Sequence, residues 1–318
     1  MAIGMNKSIV ILGSSGLIGS QLTTRFQNSS FQVIPITRKD CDLTNIDEVK
    51  RTISGLLPCS IICAAGVVGG ISSNIESGWN LGIENALITS NVLKVAYELG
   101  IDELIYFGCG CCYPNNISRP MKPDDIWDGP IEPTSRAYSL SKLIGVELVS
   151  QARSSGLSWT TVIPSNVYGP HDDYSLERAH VVPALLRRVI TSIEKKQDVL
   201  TLMGDGSAIR QFIHSSDVAS AIEIILANLK YADPIINIAT PDTCTIKELA
   251  NLIAHVSAYA GEIIFSGQGA NGTPIKVLDG SHLISMGWKS EYDLERGLSH
   301  TYRWLTDNLG TKTVRGWG

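Results

Sequence analysis

The segment that most restricts how this chain can fold begins at Ser8. Ser8–Leu12 (SIVIL) is a short apolar run of the kind that forms a buried strand, G13-S-S-G16-L-I-G19 follows it directly, and LIGSQLTTRF continues at helical spacing. A strand that feeds a helix through a glycine turn is the opening of a βαβ unit. Glycines there permit the tight turn and let backbone and helix N-terminus approach a pyrophosphate. The flanking strand and helix, rather than glycine spacing by itself, point to a bound dinucleotide.

The alternation continues. Strands are expected at 31–37 (FQVIPIT), 59–66 (CSIICAAG), 103–109 (ELIYFGC) and 160–169 (TTVIPSNVYG). Between them lie helical patterns in IDEVKRTISGL, where Thr44 and Asp47 resemble a capping box, in WNLGIENALITSNVLKVAYELG and in SRAYSLSKLIGVELVSQARS. This order predicts an α/β fold with a parallel, doubly wound sheet. Past 169 the rhythm weakens. Helices are expected from about Val181 to Glu194, around Asp217–Leu229, in TIKELANLIAHV and near Leu294–Asn308, with the glycine loop GDGSAIRQFIH among them. They read as a smaller unit woven into the first, with no internal repeat or low-complexity segment.

An acidic residue about 20 positions beyond the glycine loop would bind the ribose of NAD. Here the second strand ends in Arg38 and Lys39. A guanidinium suits a 2'-phosphate, so the expected cofactor is NADP(H), with Asp42 near the adenine edge.

The 318 residues suffice for roughly two domains of about 150 each. A formal charge of -5 without a long basic run, Arg187–Arg188 being the most evident pair, argues against nucleic acid. The N-terminal MAIGMNKSIVILG lacks the plan of a signal peptide, and the longest apolar stretch, 61–71, is glycine-broken and short of the ~18 residues a membrane span needs. A soluble, cytoplasmic protein is expected. Seven cysteines then read as free thiols.

Tyr138-S-L-S-Lys142 places a phenol and an ammonium on one helix face. The ammonium would favour the phenolate and lower the tyrosine pKa toward the range useful for proton transfer. Upstream, Gly108–Pro114 reads GCGCCYP at a strand end. Strand pleating would point Cys109 and Cys111 one way, toward cofactor and substrate, and Cys112 the other, so no metal site is expected from the three thiols.

With these motifs, and with VVGGI (67–71), EPTSRAYSLSK (132–142), PSNVYGPHDD (164–173), HVVPALLRR (180–188), GDGSAIRQFIH (204–214) and GTPIKVLD (272–279), the chain resembles the extended short-chain dehydrogenase/reductases, and within them the GDP-L-fucose synthases. The resemblance spans nearly the whole chain. It implies a Rossmann-type domain for NADP(H), residues 6–168 plus about 209–240, and a smaller α/β C-terminal domain for a nucleotide sugar, 169–208 plus about 241–312. The implied activity is 3,5-epimerisation and 4-reduction of a GDP-4-keto-6-deoxyhexose, giving GDP-L-fucose.

Carried over by position, the resemblance makes Tyr138 the proton donor to the C4 oxygen, with Lys142 as its partner and a ribose ligand. Cys111 and His180 become the epimerisation acid/base pair. Cofactor contacts are implied for Gly13, Gly16, Leu17, Ile18, Gly19, Arg38, Asp42, Leu43, Ala64, Ala65, Tyr138, Lys142, Pro164, Asn166, Val167 and His180, and substrate contacts for Arg188, Arg210, Lys276 and Asn166. His171 and His214 read as structural. A homodimer is implied too, through the helices of 80–99 and 138–152, with Leu87, Leu143 and Val146 as seam candidates. Two departures stand out: Cys109 and Gly110 replace serines usual in the family, and Val67 stands where lysine is common. They leave room for a related GDP-4-keto sugar, a 6-deoxyheptose or 3,6-dideoxyhexose, or for a catalytically weak NADP-binding partner subunit.

Overall fold

The computed structural model describes residues 7–268 and 273–317. The expectations that touch residues 1–6, and Gly272 of GTPIKVLD, lie outside the described residues. In chain order the first half contains β1 (Ser8–Leu12), α1 (Leu17–Gln27), β2 (Gln32–Ile36), α2 (Ile46–Leu56), β3 (Ser60–Cys63), α3 (Ile71–Glu76), α4 (Gly78–Glu98), β4 (Glu103–Phe107), α5 (Arg136–Ser154) and β5 (Ser158–Pro164). There follow β6 (Asn166–Tyr168), α6 (Val181–Glu194), β7 (Val199–Leu202), β8 (Ile209–Arg210), β9 (Phe212–His214), α7 (Ser215–Ala227), β10 (Ile235–Ile238), β11 (Cys244–Thr245), α8 (Ile246–Val256), β12 (Glu262–Phe265), β13 (Ile275–Lys276), α9 (Ser281–Ser285) and α10 (Leu294–Asn308).

Six strands form one parallel sheet in the order β10-β5-β4-β3-β1-β2. Strand pleating sends alternate residues to opposite faces, and both faces are covered. Ile9 and Ile11 pack with Leu22 and Phe26 of α1 and Val218, Ile222 and Ile225 of α7. Val10 and Leu12 pack with Val49 and Ile53 of α2, Val92 and Leu93 of α4 and Val149 of α5. Each such side chain contributes about 1.5–3 kcal/mol when fully buried. That is why the central strands read as unbroken apolar runs.

A third cluster, with Tyr168, Tyr174, Leu186, Val189, Leu249, Ile253, Leu298 and Leu305, gathers α6, α8 and α10 beside the small sheets β11-β8-β13 and β12-β7. The single strand expected at 160–169 is two strands. Pro164 still pairs with Ile238, and the Ser165 amide donates to the Ile238 carbonyl at 3.0 Å; Asn166 then turns away, its amide donating to the Gln211 carbonyl at 3.1 Å and starting the β6–β9 pair. The α2 cap is Asn45, not Thr44: its Oδ1 accepts from the Asp47 and Glu48 amides at 3.1 and 3.4 Å. Thr44 instead donates to Asp42.

Among the described residues no helix is long and apolar enough to cross a membrane. Leu143 and Val146 are buried against Cys112, Tyr113 and Ile163 within the chain, so they cannot face a second copy. The exposed large apolar residues of those helices include Trp79, Ile83, Leu87 and Tyr97 on α4 and Leu140, Ile144 and Leu148 on α5.

Candidate active site

The glycine loop is shaped by contacts a side chain would forbid. Gly13 has φ 84°, and a Cβ there would stand 2.8 Å from the Ala65 backbone. At Gly19 a Cβ would lie 2.1 Å from the Gly13 carbonyl oxygen, so α1 can sit this close to β1 only with glycine. Gly16 differs: nothing approaches its Cβ position closer than 3.4 Å. It caps α1 with no side-chain acceptor and no acidic residue in the first turn, leaving the first amides of the helix without a side-chain partner. A dinucleotide pyrophosphate fits this cradle.

The other expected contacts lie at or after the ends of β2, β3 and β5. Ala64 and Ala65 follow β3, with the Ala64 amide on the Leu12 carbonyl at 3.0 Å. Leu43 is buried, and the Asp42 carboxyl is held below its usual pKa by hydrogen bonds from the Thr44 side chain and amide. Arg38 is mostly exposed and touches Glu84 at 3.6 Å, a surface pair that leaves its guanidinium available to a phosphate. Pro164 ends β5, Val167 packs on the first core cluster, and Asn166 donates through Nδ2 to Gln211 at 2.8 Å.

Gly145 lets α5 come down onto β4: a Cβ there would be 2.3 Å from the Tyr106 ring. This approach sets the Lys142 ammonium over that ring, 4.7 Å from its centroid, while Tyr106 Oη shares a hydrogen with Thr89 at 3.0 Å. Lys142 is only 4% exposed. Burial opposes its charge, yet Tyr106, Cys63 and Cys109 outweigh it and raise its pKa. The Tyr138 pKa does not fall as the sequence motif suggests. Burial pushes the phenol well above its ordinary value, and the Cys109 and Cys111 charges push in the same direction. Burial therefore keeps the proton on Tyr138, while the ammonium of the motif lies over the Tyr106 ring.

The thiol segment is not the extended strand that pleating assumed. Cys109 is extended, but Gly110–Cys112 is a 3-10 turn closed by the Cys112 amide on the Cys109 carbonyl at 3.0 Å. Cys112 is buried as expected, but its Sγ is 3.6 Å from that of Cys109 rather than on the opposite side. The Cys111 Sγ accepts from Lys276 Nζ at 3.2 Å. For Cys109 the Cys111 contact works downward while Cys112 and burial work upward, leaving it at about 12. Cys111 is raised by Cys109 and by burial, with Lys276 the main opposing charge. Among the described residues no group of histidine, cysteine and carboxylate side chains could hold a metal.

His180 caps α6 through its backbone only. The loop VVGGI holds that corner in place: the Gly70 amide donates to Arg178 at 3.0 Å, and a Cβ at Gly70 would meet the Ala179 oxygen at 2.9 Å. Desolvation lowers the imidazole pKa, and Cys111 pulls the other way, so the two groups share one electrostatic neighbourhood. Arg210 and Lys276 are register partners across β8 and β13. Arg188 lies apart on the surface, donating to Thr201 at 2.7 Å. His171 packs on Trp304, and buried His214 accepts from the Ser216 amide at 3.2 Å, both in structural positions.

The NAD dependent epimerase/dehydratase family matches residues 9–239. The chain belongs to this family. With it come the Rossmann-type fold and a nicotinamide dinucleotide cofactor. Over 310 residues the chain is 32% identical to the GDP-L-fucose synthase of Escherichia coli (strain K12), covering 94% of this chain and 97% of that one. It is 31% identical over 304 residues to the GDP-L-fucose synthase of Sinorhizobium fredii (strain NBRC 101917 / NGR234), covering 95% and 96%. The solved GDP-mannoheptose C4 reductase from Campylobacter jejuni with NADP bound superposes with a TM-score of 0.84 at 26% identity, over 95% of this chain and all of that one (100%).

Three parts of this epimerase-family site escaped the sequence reading. Asn85 is buried in α4 and clamps the loop after β3, accepting from the Val67 amide at 3.0 Å and donating to its carbonyl at 2.7 Å. Its signal was a polar residue on the apolar helix face that carries Leu81, Ile88 and Val92. Asn237 accepts from Tyr113 Oη at 2.6 Å and donates to the Met121 and Asp279 carbonyls, tying β10 to the segment after the thiols. The contact of Lys276 with Cys111 had no local signal.

Proposed function

We propose that this protein is an NADPH-dependent epimerase/reductase that inverts C3 and C5 and reduces C4 of a GDP-4-keto-6-deoxyhexose, giving GDP-L-fucose. One observation carries the reading: the thiol turn after β4 packs on α5 beside Tyr138, with Cys112 Sγ 4.0 Å from the Ser139 carbonyl, and Cys111 of the same turn accepts from Lys276 Nζ at 3.2 Å.

Bound NADPH supplies a hydride to C4. The first amides of α1 hold its pyrophosphate, Arg38 its 2'-phosphate, Asp42 and Leu43 border the adenine, and Lys142 takes a ribose hydroxyl. Tyr138, kept protonated by burial, gives its proton to the C4 oxygen as negative charge develops there. C3 and C5 flank the ketone, so loss of a proton from either gives an enolate. Cys111 takes that proton and His180 returns one to the opposite face, Cys111 working against the upward push that Cys109 and burial exert on its pKa. Lys276 stabilises the Cys111 thiolate. Arg210 and Lys276, side by side on facing strands, receive the GDP diphosphate, and Arg188 serves its surroundings from the exposed face of α6. The division into a cofactor domain and a nucleotide-sugar domain follows the same roles. The exposed stripe Leu140, Ile144 and Leu148, at one helical face beside Ile83 and Leu87, is the proposed homodimer seam.

The test is the product formed from GDP-4-keto-6-deoxymannose with NADPH. GDP-L-fucose is expected; C4 reduction without inversion at C3 and C5 would overturn the assignment of Cys111 and His180. A second reading, a related GDP-4-keto sugar such as a 6-deoxyheptose or 3,6-dideoxyhexose, is favoured by Val67, which lies half-buried against the core where a lysine is common. Turnover of such a sugar alone would select it.

A further inference from the structure

We propose that Cys109 and Cys112 form a reversible disulfide, making the catalytic cleft sensitive to thiol oxidation. The sequence Cys109-Gly-Cys-Cys112 is a C-x-x-C motif, hidden by the third thiol within it. Its backbone is already suited to a bridge. The 3.0 Å hydrogen bond from the Cys112 amide to the Cys109 carbonyl closes a four-residue turn. Such a turn holds its end Cα atoms within about 7 Å, and disulfides span about 4.4–6.8 Å. The sulfurs lie 3.6 Å apart, so a bond of about 2.05 Å asks for side-chain rotation rather than backbone movement. Cys111 is engaged on its other side by Lys276. Cys109 keeps part of its surface exposed, whereas Cys112 is fully buried, which gives the pair an entry sulfur and a resolving sulfur.

The oxidant is a low-molecular-weight disulfide. Cys109 attacks one of its sulfurs, giving up its proton as it does so, and displaces a thiolate that takes up the proton, leaving a mixed disulfide and one free thiol. The Cys112 thiolate then attacks the Cys109 sulfur and displaces the second. Two electrons and two protons pass from the protein thiols to the oxidant, which leaves as two thiols. The consequence for activity rests on the proposed function. A bridged Cys109 has no S–H beside Tyr138, and the turn that carries Cys111 is tied, so both C4 reduction and proton exchange should fall at least tenfold and return with dithiothreitol.

The experiment holds the full-length protein in glutathione buffers of rising disulfide content, blocks free thiols with N-ethylmaleimide, and weighs the peptide carrying Gly108–Pro114. Expected is a peptide short of two hydrogens that carries one maleimide instead of three, reverting with dithiothreitol. The bridge should vanish in Cys112→Ser and in Cys109→Ser and persist in Cys111→Ser. Three maleimides under all conditions, glutathione adducts without a bridge, or a bridge that survives in Cys112→Ser would each overturn the proposal. This readout needs no substrate, so it stands or falls separately from the identity of the sugar. With substrate, Cys112→Ser should work in reducing buffer and lose the response to glutathione disulfide.

Discussion

The Gly13–Gly19 loop and the Cys109–Tyr113 turn both follow a central parallel strand, β1 and β4, and they are built in opposite ways. In the glycine loop the backbone does the shaping: a positive φ at Gly13 and a helix so close that one methyl group at Gly19 would strike a carbonyl oxygen at 2.1 Å. No side chain is needed. At the thiol turn Cys109 has ordinary extended geometry, φ -148°, and what matters is the company of its side chains, including a lysine 165 positions away. The difference separates a site defined by where chain can go from a site defined by what folds against it.

The largest expected effect tests the backbone side. Gly19→Val should abolish measurable NADPH binding and lower the melting temperature, since overpacking at such a contact typically costs about 1–3 kcal/mol and here the obstacle is backbone. Gly16→Ala should leave the melting temperature near native and weaken NADPH alone. Fluorescence titration and thermal melts of both variants compare them; native-like binding by Gly19→Val would show that α1 is not held by that contact.

On the thiol side, Cys111→Ala should slow entry of solvent deuterium at C3 and C5 by about 10²–10⁴ while the C4 ketone is still reduced. Exchange at the native rate would assign the proton transfer elsewhere. Lys276→Met comes next in size. An ammonium stabilises the thiolate and so lowers the Cys111 pKa; without it that pKa rises, and the rising limb of the exchange-rate profile should move to higher pH. A loss of about tenfold at neutral pH, recovered as the pH is raised, corresponds to one pKa unit. An unshifted profile would reduce Lys276 to a nucleotide contact.

The smallest effect belongs to Cys109. A thiol is a weak donor, so Cys109→Ser should keep or modestly speed ketone reduction and Cys109→Ala should slow it little. Losing a full-strength oxyanion donor costs about 2.7–4 kcal/mol, and a loss of that size in the serine variant would give the thiol a chemistry of its own. Single-turnover NADPH oxidation on one keto sugar ranks the three proteins.

Most of the sheet was legible because parallel strands buried on both faces must be apolar throughout, and β1, β3 and β4 could hardly be read otherwise. Helix α6 falls on the expected residues, its caps and spacing being local. A local pattern misleads where the chain changes direction. Period-2 alternation ends at Cys109, where a 3-10 turn begins, and again past Pro164, where Asn166 pairs with Phe212 of β9. Helical apolar positions Leu143 and Val146 were read as a seam because the pattern does not say which of several neighbours a helix face meets.

The sequence by itself determined the strand–glycine–helix opening, the order of elements and the identity of the reactive groups, since each depends on steric limits or chemistry within a few residues. Only the tertiary structure decided the state of those groups. It buried Tyr138 so that the phenol keeps its proton, set Lys142 over Tyr106, brought Lys276 to Cys111, and closed the turn that sets two thiols 3.6 Å apart. The physical reason is that a pKa or a sulfur contact depends on distance through space and on excluded water, and neither is a property of spacing along the chain.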